Sequence, residues 1–384
     1  MQTKEIVKRI YLSVRAIFLW PLFLIKPMRS LEPDSIKEIL FLRHDRIGDM
    51  ALSLPAIRLL KKSFPHARLT VVASMSNKDI LSNNPYVDEV LVYKGMSDYI
   101  RHVRHRGYDL AIDPFHNNHE LKPAFMTMLS GARYRIGFAL AGREVFFSMK
   151  APLYDEKKSF MQLMMLILSE LGIADDKSDE PLIFITHDEQ TEAEKSISPL
   201  SGRRLVAIHP GAFYPSQRWP IDRFAAIAKD LSCHGFGVIF FAPAKEFPDF
   251  DKTVFKDSSN VLIISDIQMR RFIALLSLCE ILICNNSGPL HIAGALKIKT
   301  VSMMGPTVPA VWWPQGKGHV VIRRGYPCSP CNKAVCETHE CMADITVKEV
   351  LEEIYKSLIV KVSCHCEGDS LKQSLGKIAS LRSQ

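Results

Sequence analysis

Residues 39–64, ILFLRHDRIGDMALSLPAIRLLKKSF, decide how this chain folds. An aliphatic run, Ile39-Leu40-Phe41-Leu42, gives way to polar Arg43-His44-Asp45-Arg46, then to Gly48, then to apolar residues at helical spacing, Leu52, Ala56, Leu59 and Leu60. That order reads as a buried strand, a tight loop and a helix. In an open parallel sheet a ligand sits beyond the carboxyl ends of the strands, so the polar loop is expected at a cleft with Asp49 at its mouth. Gly48 is expected to turn the chain with a positive φ and to approach a ligand where a Cβ would intrude. Asp49 then falls in the first turn of the helix, where the positive dipole end favours a carboxylate. Two roles fit that place, a first-turn acid and a general base. Asp45 has the same two readings, and loop hydrogen bonding suits it better.

The run Arg43-x-Asp45-x-Ile47-Gly48-Asp49 is followed by Leu54-Pro55-Ala56-Ile57 and by Phe64-Pro65-x-Ala67-x-Leu69-Thr70. Together they resemble the opening signature of glycosyltransferase family 9, the ADP-heptose:lipopolysaccharide heptosyltransferases and their relatives. The resemblance continues at His209-Pro210-Gly211-Ala212, at Arg218-Trp219-Pro220, from Asn286 to Ala293 and from Cys328 to Cys341, and it runs in the family's order over residues 38–358. It implies an α/β fold of the GT-B type, two Rossmann-like lobes facing a central cleft. It implies inverting transfer of a sugar from a nucleotide-diphosphate donor, ADP-heptose, to a lipopolysaccharide core or related glycolipid.

At 384 residues the chain exceeds one ordinary core, and its 47% hydrophobic and 23% charged residues are globular composition. The net charge of +8 is concentrated at the start, where Lys4, Lys8, Arg9, Arg15, Lys26 and Arg29 oppose only Glu5. The remainder is close to balanced, which argues against a nucleic-acid surface. The same segment holds the apolar run Ala16–Ile25, too short to span a bilayer and without a cleavage site after it. A helix lying on the membrane surface fits, with Trp20 at the interface; packing on the protein's own core is the other reading. The expected location is therefore the cytoplasmic face of the inner membrane, held peripherally. Nine scattered cysteines suggest a reducing compartment without structural disulfides.

Four units are expected: a basic, apolar membrane-associating segment (1–34), an acceptor lobe (35–180), a donor lobe (181–360) and a tail (361–384). In the first lobe short aliphatic runs at 69–73, 89–93 and 110–115 alternate with helical or polar segments, which argues a parallel sheet. After an apolar helix from Phe160 to Leu171 and an acidic stretch, Asp175–Glu180, the pattern restarts with strands at 204–209, 238–243, 261–266, 281–284 and 300–303. Helices are expected at 221–234, 268–279, from about Pro289, and at 347–358.

The loop Asp113–Glu120 falls on the same cleft edge as Asp49, and Asn117, Asn118 and His119, with Arg46 and Gly48, are candidates for acceptor binding. His116 and His119 with a carboxylate also have the chemistry of a metal site, without a matching third ligand motif. In the second lobe Asn286-Ser287-Gly288-Pro289 opens a helix whose orphan N–H groups suit either a diphosphate or a plain N-cap. The resemblance favours the diphosphate and extends donor binding to Gln217, Arg218, Asn286, Ser287, Gly288, His291 and Thr307; Glu246, after the strand at 238–243, is a candidate for ribose hydroxyls or an ordinary solvated loop acid. Relatives place Asp at the position of Asn286 and Lys just before that of Arg218. Here Asn286 and Gln217 carry no charge, a change that also fits a catalytically inactive, membrane-associated nucleotide-sugar-binding protein. Cys328-x-x-Cys331-x4-Cys336-x4-Cys341 has spacing that suits zinc or an iron-sulfur cluster. The resemblance implies transfer that needs no metal and no cofactor, with zinc at these four thiols as the lesser reading. Asp49 is the expected base.

Overall fold

A computed structural model describes residues 29–115, 120–140, 142–153, 155, 157–174 and 180–358, together with Tyr11, Leu12 and Val14. The expectations for the surface helix before residue 29, for Asn117, Asn118 and His119, for the acidic stretch 175–179, and for the tail with Cys364 and Cys366 lie outside the described residues.

Two parallel sheets organise the chain. The front sheet comprises β1 (Glu38–Arg43), β2 (Arg68–Ala73), β3 (Glu89–Val92), β4 (Leu110–Asp113) and β5 (Tyr134–Gly137). Its crossings and edges carry α1 (Ile47–Ser63), α2 (Met96–Val103) and α3 (Lys122–Leu129), and α4 (Phe160–Ser169) and α5 (His187–Ser196) follow. The back sheet comprises β6 (Leu205–His209), β7 (Gly237–Phe241), β8 (Val261–Ile264), β9 (Ile281–Asn285), β10 (Lys299–Met303) and β11 (His319–Ile322). With it come α6 (Ile221–Cys233), α7 (Met269–Ser277), α8 (Gly288–Ala295), the short α9 (Pro309–Trp312) and α10 (Glu340–Ala343), and α11 (Val347–Leu358).

The strand orders are β3-β2-β1-β4-β5 and β11-β10-β9-β6-β7-β8. Each sheet therefore grows outward from its first strand in one direction and then in the other. This is the doubly wound order, with one switch point per lobe: between β1 and β4 in front, and between β6 and β9 behind. The first strand pairs in parallel on both sides, Phe41 opposite Val71 and Ile112, and Ala207 opposite Ile239 and Leu282. Strands covered on both faces need continuous apolar sequence, which β1, β7 and β9 supply. Strands β5 and β11 add to the expected set.

Helix α1 is held by its surroundings more than by its own propensity, since Pro55 in its middle removes one helical N–H. Every residue from Gly48 to Leu60 is buried. One apolar cluster runs from Phe41 and Ile112 through Leu52, Leu54 and Ile57 of α1 and Leu163 of α4 to Leu290 and Ile292 of α8, and on to Leu282 of the back sheet. The lobes are thus joined by packed hydrocarbon along α1 and α8. Arg270 of α7 adds a polar tie, donating to Glu189 at 2.7 Å and, across the boundary, to the Asp79 carbonyl at 3.2 Å. Among the described residues no helix is long and apolar enough to cross a membrane.

The back switch point is drawn together by Asn285, fully buried at the end of β9. Its Oδ1 accepts from the Trp219 N–H at 2.9 Å and its Nδ2 donates to the Pro210 carbonyl at 2.6 Å. Asn285→Ala strands two buried backbone groups, and the expected loss of stability is about 2–4 kcal/mol, read from the urea unfolding midpoint.

Candidate active site

Loops leaving neighbouring strands in opposite senses part at a switch point and leave a crevice. In the front lobe those loops are 43–49 and 113–115; in the back lobe they are 209–218 and 285–291.

Arg43 ends β1 with its side chain fully buried. Its Nε donates to Ser53 Oγ at 3.0 Å, one Nη to Asp45 at 2.8 Å and the other to the Pro114 carbonyl at 3.1 Å. Ser53 Oγ in turn donates to the Asp49 carbonyl at 2.7 Å. The guanidinium carbon lies 5.1 Å and 5.0 Å from the ring centroids of Phe115 and Phe160. Next to it, the fully buried Asp113 and Arg143 form an ion pair, and Arg143 also donates to the Phe115 carbonyl at 2.7 Å. The loop that leads into residues 116–119 is therefore fixed from two sides.

Asp49 stands in the first turn of α1, as expected, but not at an open mouth: it is 5% exposed. Burial pushes its carboxyl above the ordinary carboxylate range, against the opposing pull of Arg43 and Arg46. Asp45 is pushed up to about 6, first by burial and further by the charge of Asp49, with Arg43 pulling the other way. His44 packs on Tyr93 and Phe115, and burial, helped by Lys122 and Arg43, lowers it to about 4, so it is neutral at pH 7.

Gly48 corrects a further expectation. It lies within α1 and has no positive φ. Its close approach is to the other lobe: a Cβ there would stand 2.9 Å from His291 Cδ2 and 3.6 Å from Gly288 Cα. A Cβ on Gly288 would in turn stand 3.2 Å from Ile47. The N-termini of α1 and α8 thus touch through a pair of glycines. Arg46 spans the same boundary, its guanidinium 4.7 Å from the Phe213 ring and 5.1 Å from that of Tyr214, with a 2.9 Å bond to the Tyr214 hydroxyl. Phe213 is otherwise 69% exposed.

The expected donor residues gather around α8. Ser287 does not cap the helix; its hydroxyl donates to the Gly211 carbonyl at 3.2 Å. Asn286 is buried and its Nδ2 donates to Thr307 Oγ1 at 2.6 Å, so the amide supplies a proton that an aspartate lacks. Arg218 donates from Nε to the Ala212 carbonyl at 2.9 Å and pairs with Glu246 at 3.1 Å. Glu246, considered for ribose hydroxyls, accepts from the Ala212 N–H at 2.8 Å and shapes this loop. Gln217 is half-buried in the 3-10 turn just before Arg218. His291 is buried against Gly48, with Nδ1 unpartnered; burial and the neighbouring His319 lower it to about 4.

The cysteine-rich segment straps two of these loops. Ser329 Oγ donates to the Gly305 carbonyl at 2.7 Å, and the Cys331 and Asn332 N–H groups to the Pro306 carbonyl at 2.9 Å and 2.8 Å. At its other end the Ser216 N–H donates to the Ala334 carbonyl at 3.2 Å, and His339 Nε2 to the Ser216 carbonyl at 2.9 Å. Cys328, Cys331, Cys336 and Cys341 are free thiols. Cys341 is buried, and burial, then the charge of the three other sulfurs, pushes its thiol pKa up, so the four sulfurs lie near enough to feel one another. Among the described residues no three His, Cys, Asp or Glu side chains are grouped to hold a metal.

A two-lobed chain with paired switch points of this kind has the GT-B architecture of glycosyltransferases that use activated sugars. Residues 96–342 match the profile of glycosyltransferase family 9 (heptosyltransferase). The chain is 26% identical over 346 residues to lipopolysaccharide heptosyltransferase 2 of Escherichia coli, covering 84% of this chain and 99% of that protein. It superposes on the solved E. coli ADP-heptose LPS heptosyltransferase II with a TM-score of 0.68 at 23% identity, over 84% of this chain and 98% of that one. A more distant fold neighbour, E. coli TibC, described as an iron-containing dodecameric glycosyltransferase, aligns with a TM-score of 0.55 at 15% identity over 87% of this chain and 78% of its own. The chain belongs to glycosyltransferase family 9 and is a glycosyltransferase.

Sequence reasoning assigned no role to Arg43, Ser53, Phe213 or Arg143. Arg43 and Ser53 lie inside the quoted opening stretch, and the other two carried no local signal.

The buried carboxyl and the glycine contact each have a measurable consequence. Because the folded Asp49 carboxyl sits above its ordinary value, the proton contributes stability below the usual carboxylate range, and this is lost as pH rises through the raised value. Asp49→Asn has no such loss, so its urea midpoint should overtake that of the unmodified protein as pH rises, by at most about 1.4 kcal/mol per pH unit. Gly48→Ala should cost about 1–3 kcal/mol through the contact with His291, and combining it with His291→Ala should recover part of that cost in a double-mutant cycle.

Proposed function

We propose that the protein transfers a heptose from ADP-heptose to a sugar hydroxyl of a lipopolysaccharide core or related glycolipid, with inversion at the anomeric carbon. The observation that carries this reading is the meeting of the two helix N-termini at Gly48 and Gly288, each on a switch-point loop of its own lobe. Two positive dipole ends in contact, neither with a side-chain cap, favour an anion between or beside them. A sugar diphosphate answers that need, and the heptosyltransferase relatives support heptose as the sugar.

In this reading Asp49 accepts the proton of the acceptor hydroxyl as its oxygen attacks the anomeric carbon. The bond from that carbon to the diphosphate oxygen breaks, and its electron pair leaves with the nucleoside diphosphate. The raised pKa of Asp49 makes it a stronger base than an ordinary carboxylate once ionised. The α8 N-terminus and Arg218 stabilise the charge growing on the leaving group. Asn286 and Thr307, joined to each other, offer hydrogen bonds to donor hydroxyls without adding charge. The acceptor reaches Asp49 when the lobes part at the paired glycines. The basic segment before residue 30 holds the enzyme at a membrane surface, where a lipid-linked acceptor lies.

The test is release of nucleoside diphosphate from ADP-heptose with a heptose-deficient core acceptor. Asp49→Asn should lower turnover by about 10²–10⁴-fold while the donor Kd by calorimetry stays within about twofold. Turnover near the unmodified level removes Asp49 from the base role. Donor binding by the unmodified protein with no transfer to any core acceptor favours the inactive binding protein.

A further inference from the structure

Arg43 belongs to none of the donor, acceptor or base groups above, yet all three of its guanidinium nitrogens are engaged. From full burial it reaches three separate pieces of chain: Ser53 in α1, Asp45 in the loop after β1, and the Pro114 carbonyl in the loop after β4. Two of these are the loops that part at the front switch point. The third leads to the base, since Ser53 Oγ uses its proton on the Asp49 carbonyl and its lone pair on Arg43 Nε. The phenyl rings of Phe115 and Phe160 flank the guanidinium and leave it little freedom to turn. Planar Arg, with donors fixed in a fork, suits three partners in three directions; Lys presents one charge at a single point.

We propose that Arg43 is a positioning residue of the transfer reaction, holding the first turn of α1 with Asp49 and the loop after β4 at one fixed separation. This rests on the transferase reading above. The loop after β4, described through Phe115, borders the front switch point, where the transferase reading puts the acceptor, so the separation Arg43 sets is that between the base and that side of the crevice. The charge has a second effect. Arg43 and Arg46 face two carboxylates, Asp45 and Asp49, that repel each other, and Arg46 is exposed where Arg43 is buried. Removing Arg43 leaves the carboxylates to take up protons at higher pH.

Two variants separate the fork from the charge. Arg43→Lys should raise the acceptor KM about tenfold and leave the donor Kd and the acidic limb of the pH–rate profile in place. Arg43→Met should also move that limb up by about one pH unit. Equal rises in donor Kd and acceptor KM for Arg43→Lys, or an unchanged acceptor KM, would overturn the proposal. If Arg43→Met does not fold, the lysine variant decides alone. Carboxyl-carbon NMR of aspartate-labelled protein needs no substrate and follows Asp49 in the unmodified and Arg43→Gln proteins. An unchanged Asp49 titration in Arg43→Gln would remove the charge effect even where no transfer can be assayed, whereas failure of transfer by the unmodified protein with an altered Asp49 titration would count against the substrate reading alone.

Discussion

The contact of two helix N-termini at Gly48 and Gly288 constrains everything around it. Helix ends of like sign repel, and neither residue has a side chain to keep them apart. They are held by the hydrocarbon that α1 and α8 bury together, with Leu52 and Leu54 on one side and Leu290 and Ile292 on the other. Packing therefore opposes electrostatics at this point, and Asp49 stands where its negative charge is most useful to both helices. The raised pKa of Asp49 shows that the compensation is incomplete, because desolvation outweighs the two arginines. Holding a carboxylate in this buried place is at the expense of stability.

Much of the architecture was legible because buried parallel strands and amphipathic helices leave periodic traces. β1, β6 and β9 are aliphatic runs followed by polar turns, and each turn lies at a switch point, where the doubly wound order places ligands. β5 and β11 leave a weaker trace: Arg135 interrupts the first, and the second opens with His319 and is only partly covered. Gly48 departs from expectation in its conformation and not in its importance. A glycine in a loop-to-helix junction suggests a turn, whereas here it serves a helix that lies against another helix about 240 residues away.

The residues expected around a donor were legible as one spatial group, those of the front lobe less so. Asn286, Thr307, Arg218 and Glu246 do lie together, but two of the four spend their polar atoms on shaping the loop at Ala212. Arg43 could not be read from the chain, since its partner at Pro114 is 71 positions away. Long-range hydrogen bonds from a buried cation leave no period and no local composition. The same holds for the bridge between Arg46 and Tyr214, separated by 168 positions.

The cysteine-rich segment ties the loop at Gly305-Pro306 to the turn at Ser216 through the backbone of Cys331, Asn332 and Ala334 and through the side chains of Ser329 and His339. Main-chain bonds of this sort are indifferent to which side chains the segment carries. The main-chain links at Cys331, Asn332 and Ala334 therefore tolerate other side chains, whereas loss of the Ser329 hydroxyl or the His339 ring, or an insertion or deletion between them, would loosen one loop from the other. A chimera that exchanges either loop between relatives would have to carry the strap along with both loops it spans.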